Sequence, residues 1–270
     1  MAMRNFRKIA AYTIVDLVHH KSFYVMLTIS IFFVLLLKGC YKGDYMVNGQ
    51  HISSNMVAWN ASIIAFHIIA AGTLLIATLL SLGVFRRDKD DGSSTYILSK
   101  PVSRFEYAAG KIAGLWVVSF LFMFVLHLTI TIITYFNTGG VMPGYLAASL
   151  LCSLNVLFMV LLVGLLSLVL HDFAAAFLSV GIVAISFISD TIDKVAHSDL
   201  LKSAMASSNE HLSIWRVVWP KVCSLQLFAE SLIDQSHPHQ IGPLHPTINI
   251  LIFICIAAIA LVWRFEKEEL

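Results

Sequence analysis

Long apolar runs alternate with short polar stretches along the whole chain, and six of the runs are long enough to be read as membrane spans. They cover about residues 22–37, 56–85, 107–136, 145–170, 173–188 and 247–263. The second and third exceed the roughly 20 residues that a bilayer requires, so each must tilt or project beyond the hydrocarbon. Residues 1–21 differ from these runs. Phe6, Ile9, Ala10, Thr13, Ile14 and Leu17 recur at helical spacing, with Arg4, Arg7, Lys8 and Asp16 elsewhere on the wheel, the pattern of a helix lying in a membrane interface. Residues 189–245 are polar but keep a helical repeat through Leu212, Trp215, Val218, Trp219, Val222, Leu225, Phe228 and Leu232. This predicts a small helical insert on the outer side, between the fifth and sixth spans. The expected fold is an all-α integral membrane protein of one domain, closed by a short tail at 264–270.

Composition agrees with the pattern. Of 270 residues, 58% are hydrophobic and 13% charged, and the mean hydropathy is +0.82. A soluble domain carries about a quarter charged residues. The net charge of +2 matters less than where the charges fall. Five Lys/Arg crowd the loop between Arg86 and Arg104, which marks it as cytoplasmic. With that loop inside, both termini are also expected inside, in a cell inner (plasma) membrane, with lipid phosphates touching the basic residues. The polar N-terminal stretch does not resemble a cleavable signal peptide. Cys40, Cys152, Cys223 and Cys255 form no CxxC motif, and free thiols are expected at Cys40 and Cys223 rather than a disulfide. Nothing in the charge pattern suggests a nucleic-acid partner.

The polar stretch from Arg86 to Lys111 holds the densest charge. Asp90, Asp91 and Gly92 precede a run, Ser93 to Leu98, that predicts a short helix stopped by Pro101. The residues Asp90, Asp91, Gly92, Thr95, Ile97, Leu98, Lys100, Pro101, Val102, Ser103, Arg104, Phe105, Gly110 and Lys111 resemble the coupling-helix loop of type-2 ABC exporter permeases. The layout resembles that family throughout, including a copper-enzyme-maturation branch. The resemblance implies a connecting helix at the N-terminus, a coupling loop at residues 86–106, and a dimer of permeases. It also implies separate ABC ATPase subunits that bring ATP and magnesium. Contact with the ATPase would fall to Asp88, Asp90, Asp91, Ser94, Thr95, Tyr96, Leu98, Pro101 and Arg104. The chain has no GxxxxGK[ST] phosphate-binding loop, since Gly110-Lys111 runs into Ile112, so it is not expected to be an enzyme by itself. Export of a substrate and mechanical work on an external partner protein are both compatible with the layout.

Eleven histidines are the remaining chemistry. His67 in the second span and His127 in the third fall at similar depth, and intramembrane ionisable groups are candidates for function. They are read as a polar contact between helices, as part of a translocation path, or as axial ligands of a haem in a membrane redox subunit. His237, His239 and His245, with His197 and His211, form a loose external set that could attract copper, zinc or iron. An intramembrane hydrolase is disfavoured, because neither HExxH nor GxSxG occurs.

Overall fold

A computed structural model describes residues 2–39, 45–47, 50–52, 54–92, 96–97, 99, 102–140, 142, 144–196, 219–234 and 244–267. Nine helices carry the described chain: α1 (Ala2–His19), α2 (Lys21–Gly39), α3 (Ser54–Ser81), α4 (Val84–Asp90), α5 (Arg104–Thr138), α6 (Gly144–Ser167), α7 (Asp172–Ala196), α8 (Val222–Ile233) and α9 (Pro246–Lys267). Five stretches are long and apolar enough to cross a membrane: Asn55–Asp88, Arg104–Thr138, Gly144–Ser167, Asp172–Thr191 and Pro246–Lys267. The chain has the architecture of a helical membrane protein. Between α2 and α3, β1 (Tyr45–Val47) and β2 (Gln50–Ile52) pair antiparallel, a hairpin where the sequence suggested only a loop.

The bundle forms around α5 and α6. α5 packs on α1, α2, α3, α6 and α9, while α6 packs on α3, α5, α7, α8 and α9. Phe66, Met123, Ile130, Tyr145, Met159, Leu225 and Ile250 fill its interior. Hydroxyls within these helices mostly bond backward along their own chain. Thr73, Thr78 and Ser81 each donate to the carbonyl four residues earlier, so they need no partner from another helix. α5 begins with a reciprocal capping box between Ser103 and Glu106 and ends at Gly139 in the left-handed conformation.

Two boundaries depart from the sequence reading. The second apolar run does not form one helix to Phe85: α3 stops at Ser81, and Gly83, with φ of 65°, turns the chain into α4. Only glycine adopts that backbone without strain. A short helix, α4, follows the turn and ends at Asp90; the expected helix from Ser93 to Leu98 falls largely on positions outside the described residues. Tyr96 and Ile97 are helical. The fifth span was expected to end at residue 188, but α7 continues to Ala196.

The described part of the insert does not form a separate outer layer. α8 is antiparallel to α6 and wedged among α3, α6, α7 and α9, with Val222, Leu225 and Ala229 fully buried. At one end a side chain on Gly144 would collide with the Leu232 carbonyl. At the other, Asn155 of α6 donates to the Val222 carbonyl at 2.9 Å. The apolar repeat of this helix is thus a packing face within the bundle.

Candidate functional site

The end of the bundle that carries Arg86, Arg87, Arg104 and Arg264 is built around a buried charge. α4 turns Asp88 inward, where its carboxylate lies 2.5 Å from Lys111 Nζ on α5 and accepts a short hydrogen bond from the Tyr107 hydroxyl. Lys111 is only 2% exposed. A lysine so buried requires an opposite charge, and removing either partner would strand the other. Tyr107 and Lys111 are one helical turn apart, so the same face of α5 presents both groups to α4. Their surroundings add two more elements. Lys111 Nζ lies 5.7 Å from the centre of the Tyr12 ring on α1, and Phe265 of α9 stacks on Tyr107 at 5.7 Å.

α1 reaches this cluster because α5 offers it two glycines on one face. A Cβ at Gly110 would stand 2.9 Å from Ile9 Cβ, and one at Gly114 would stand 2.7 Å from Thr13 Cβ. The helices meet where only hydrogen atoms intervene, the small-xxx-small arrangement that lets backbones approach closely. Ile9, Thr13 and Leu17 are correspondingly buried, while Arg7, Lys8, Tyr12 and Asp16 remain exposed. The N-terminal helix is therefore docked on α5 along its apolar stripe.

Beyond the buried ion pair the chain turns outward. Asp90, Asp91 and Gly92 are exposed, Tyr96 is 67% exposed, and Phe105 is exposed at the start of α5. Arg86 and Arg87 face outward from α4, and Arg104 donates to the Glu266 carbonyl at 2.8 Å. Of the residues expected to meet a partner, Asp90, Asp91 and Tyr96 share this surface. Asp88 belongs to the interior, Arg104 is partly buried against α9, and Ser94, Thr95, Leu98 and Pro101 lie outside the described residues.

His67 and His127 fall at one level, as their spacing suggested, but in different surroundings. His127 is fully buried, with Nδ1 2.8 Å from Ser149 Oγ and Nε2 3.4 Å from the Phe66 carbonyl. The carbonyl accepts only, so Nε2 carries the proton and Nδ1 accepts from Ser149. The Phe66 ring stacks on His127 at 4.9 Å and meets His67 edge-on at 5.5 Å. His67 turns the other way, to Glu230 Oε2 at 3.0 Å and Gln226 Nε2 at 2.9 Å, both on α8. All four imidazole nitrogens are engaged, and an aromatic ring fills the space between the two histidines. The pair does not fit the two sides of a haem.

Of the external histidine set, His245 alone lies among the described residues. His245 packs edge-on against Phe228, and its Nδ1 accepts from the Thr247 amide. His197, His211, His237 and His239 lie outside the described residues. Among the described residues, no three His, Cys, Asp or Glu side chains gather as metal ligands would. Cys223 is buried, and Cys40 is outside the described residues.

Sequence reasoning missed Tyr107, Lys111 and Tyr12 as a unit, and the role of Gln226. Two signals were present. Tyr107 and Lys111 share a helix face, as do Gln226 and Glu230, each pair being four residues apart in an apolar context. Compared with known proteins, the chain matches no family model, and no curated protein matches it in sequence.

Proposed function

We propose that this protein is the membrane-spanning subunit of an ABC transporter, receiving a separate ATPase at the end of the bundle where α4 emerges. The observation that carries this reading is the joint formed by Asp88, Lys111 and Tyr107. A loop that merely anchored basic residues at a lipid surface would have no need to be fixed through a buried ion pair to α5 and, through Gly110 and Gly114, to α1. A loop that receives force does. Exposed Asp90, Asp91 and Tyr96 offer the contact, and the Gly83 turn allows α4 to take an angle that a continuous α3 could not.

In this reading α2 supplies a sixth span, α1 lies on the cytoplasmic surface as the connecting helix, and both termini are in the cytoplasm of a cell inner membrane. Two copies, or this chain and a close paralogue, form the complete path. ATP and magnesium bind to the partner, and closure of its subunits tilts α3 and α5 through α4. The work is export of an amphiphilic substrate, or motion passed through the insert to a partner protein outside. The resemblance of the loop to type-2 exporter permeases adds support that is independent of the geometry.

A photo-crosslinking residue at Tyr96 tests the contact in membranes of the native host. The expected product is a covalent adduct with an ATP-binding protein that carries a phosphate-binding loop. The same label at Tyr135, which is exposed at the far end of α5, should give no such product. Labelling of lipid alone from Tyr96 would contradict the assignment.

A further inference from the structure

One side of α9 carries an apolar stripe that ends in cations. Ile252, Ile256, Ile259 and Trp263 are exposed at helical spacing along a helix that is long and apolar enough to cross a membrane. Lys267 continues the stripe one turn later, and its Nζ lies 3.9 Å from the centre of the Trp263 ring. The contact fixes the ammonium above the ring, at the level where tryptophan meets lipid headgroups.

Arg264 flanks the same stripe. It is half-buried beside Leu261 and Phe265, and its Nε is enclosed without a hydrogen-bond partner. Neither Arg264 nor Lys267 is paired with a carboxylate among the described residues. An enclosed Nε is beyond the reach of a ligand, so an acceptor must meet the two terminal NH2 groups, a fork that matches two oxygens of a phosphate. The guanidinium cannot shed its charge, and at the edge of the hydrocarbon a counter-anion stabilises it. Glu266, the acid of the same turn, falls on the opposite flank of the stripe, where its carbonyl accepts from Arg104. Two cations therefore converge on the lipid-facing side.

We propose that Trp263, Arg264 and Lys267 bind the phosphate of an anionic phospholipid whose acyl chains lie along Ile252, Ile256 and Ile259. An anionic lipid is selected over a zwitterionic one, because a choline headgroup would bring a third cation to the pair. Phe265, the next residue, stacks on Tyr107 and lies 5.4 Å from the Phe85 ring. A lipid held here braces the end of α9 against the buried pair of Asp88 and Lys111. The inference goes beyond the ATPase assignment and requires only that α9 lie in a membrane.

The experiment uses the full chain in dodecylmaltoside micelles and native mass spectrometry. Phosphatidylglycerol and phosphatidylcholine with the same acyl chains are added in equal amounts. The native chain is expected to retain phosphatidylglycerol about fivefold more than phosphatidylcholine, and Arg264→Gln combined with Lys267→Gln to lose that preference. Lys8→Gln combined with Lys21→Gln removes the same charge from exposed positions on α1 and α2 and should keep it. Without lipid, the α9 double variant should melt at the temperature of the native chain, which separates lost binding from lost fold. Equal retention of the two lipids by the native chain overturns the proposal, as does a preference that survives in the α9 double variant. Loss of the preference in the control pair would show that overall charge selects the lipid, and would overturn it too. Displacement of phosphatidylglycerol by excess inorganic phosphate would assign the site to a free anion and overturn the lipid reading.

Discussion

The two ends of the bundle solve the same problem in different ways. At the end of α4, polar groups are buried by neutralising charge: one lysine, one aspartate and one tyrosine drawn from two helices, covered by α1 and α9. Around α8 they are buried by lending caps. Ser186 of α7 accepts from the amides of Val222 and Cys223, and Asp190 of α7 accepts from the amide and hydroxyl of Ser224. Asn249 of α9 accepts from the Lys221 amide. The first-turn amides of α8 are thus met from neighbouring helices, because the helix begins inside the protein where water cannot serve. The difference teaches which end is stiff. An ion pair in a dry setting fails all at once when one partner is lost, whereas a set of borrowed caps loses strength one bond at a time.

Breaking the charged end should have the largest effect. Lys111→Met leaves Asp88 buried without its counter-charge and is expected to cost about 3–5 kcal/mol, seen as a marked fall in thermal stability of the purified chain. Combining it with Asp88→Asn should restore much of that loss, because the stranded charge is gone. A double variant as unstable as the single one would show that packing, rather than charge, holds α4.

Next comes the helix crossing that covers the joint. Gly114→Val forces Thr13 and the Ala10 carbonyl away from α5, a strain of about 1–3 kcal/mol. Proteolysis within α1 should speed up while α8 stays protected. At the other end, Asp190→Ala removes two hydrogen bonds from the start of α8 and should cost about 1–2 kcal/mol. Hydrogen exchange should rise in α8 and remain unchanged in α4. If Asp190→Ala loosened α4 as much as α8, the two ends would not be independent.

The contrast also explains what could be seen in the sequence. Five helices long and apolar enough to cross a membrane were legible because long apolar runs have few alternatives, and the α1 stripe was legible because Ile9, Thr13 and Leu17 keep one face. Ser103 and Glu106 spell out the start of α5 three residues apart. The break at Gly83 was not legible, since Leu82, Val84 and Phe85 continue the apolar run and a lone glycine in a span is as often a packing site. Nor was the burial of Asp88. Asp88, Asp90 and Asp91 look alike in a polar loop, and only the turn at Gly83 decides which of them faces Lys111. The packing of α8 was not legible for a related reason: its apolar repeat tells that one face is buried, not what buries it.

The smallest structural effect is expected from the most informative change. Asp90 and Asp91 are exposed, so Asp90→Lys with Asp91→Lys should shift stability by no more than about 0.5 kcal/mol. Purifying the tagged chain from its native host in mild detergent, with and without this double reversal, measures what that surface is for. The account predicts that an ATPase accompanies the native chain in fixed stoichiometry and is lost from the reversed one while the chain itself remains folded. An ATPase retained in full by the reversed chain, or none with the native chain, would contradict it.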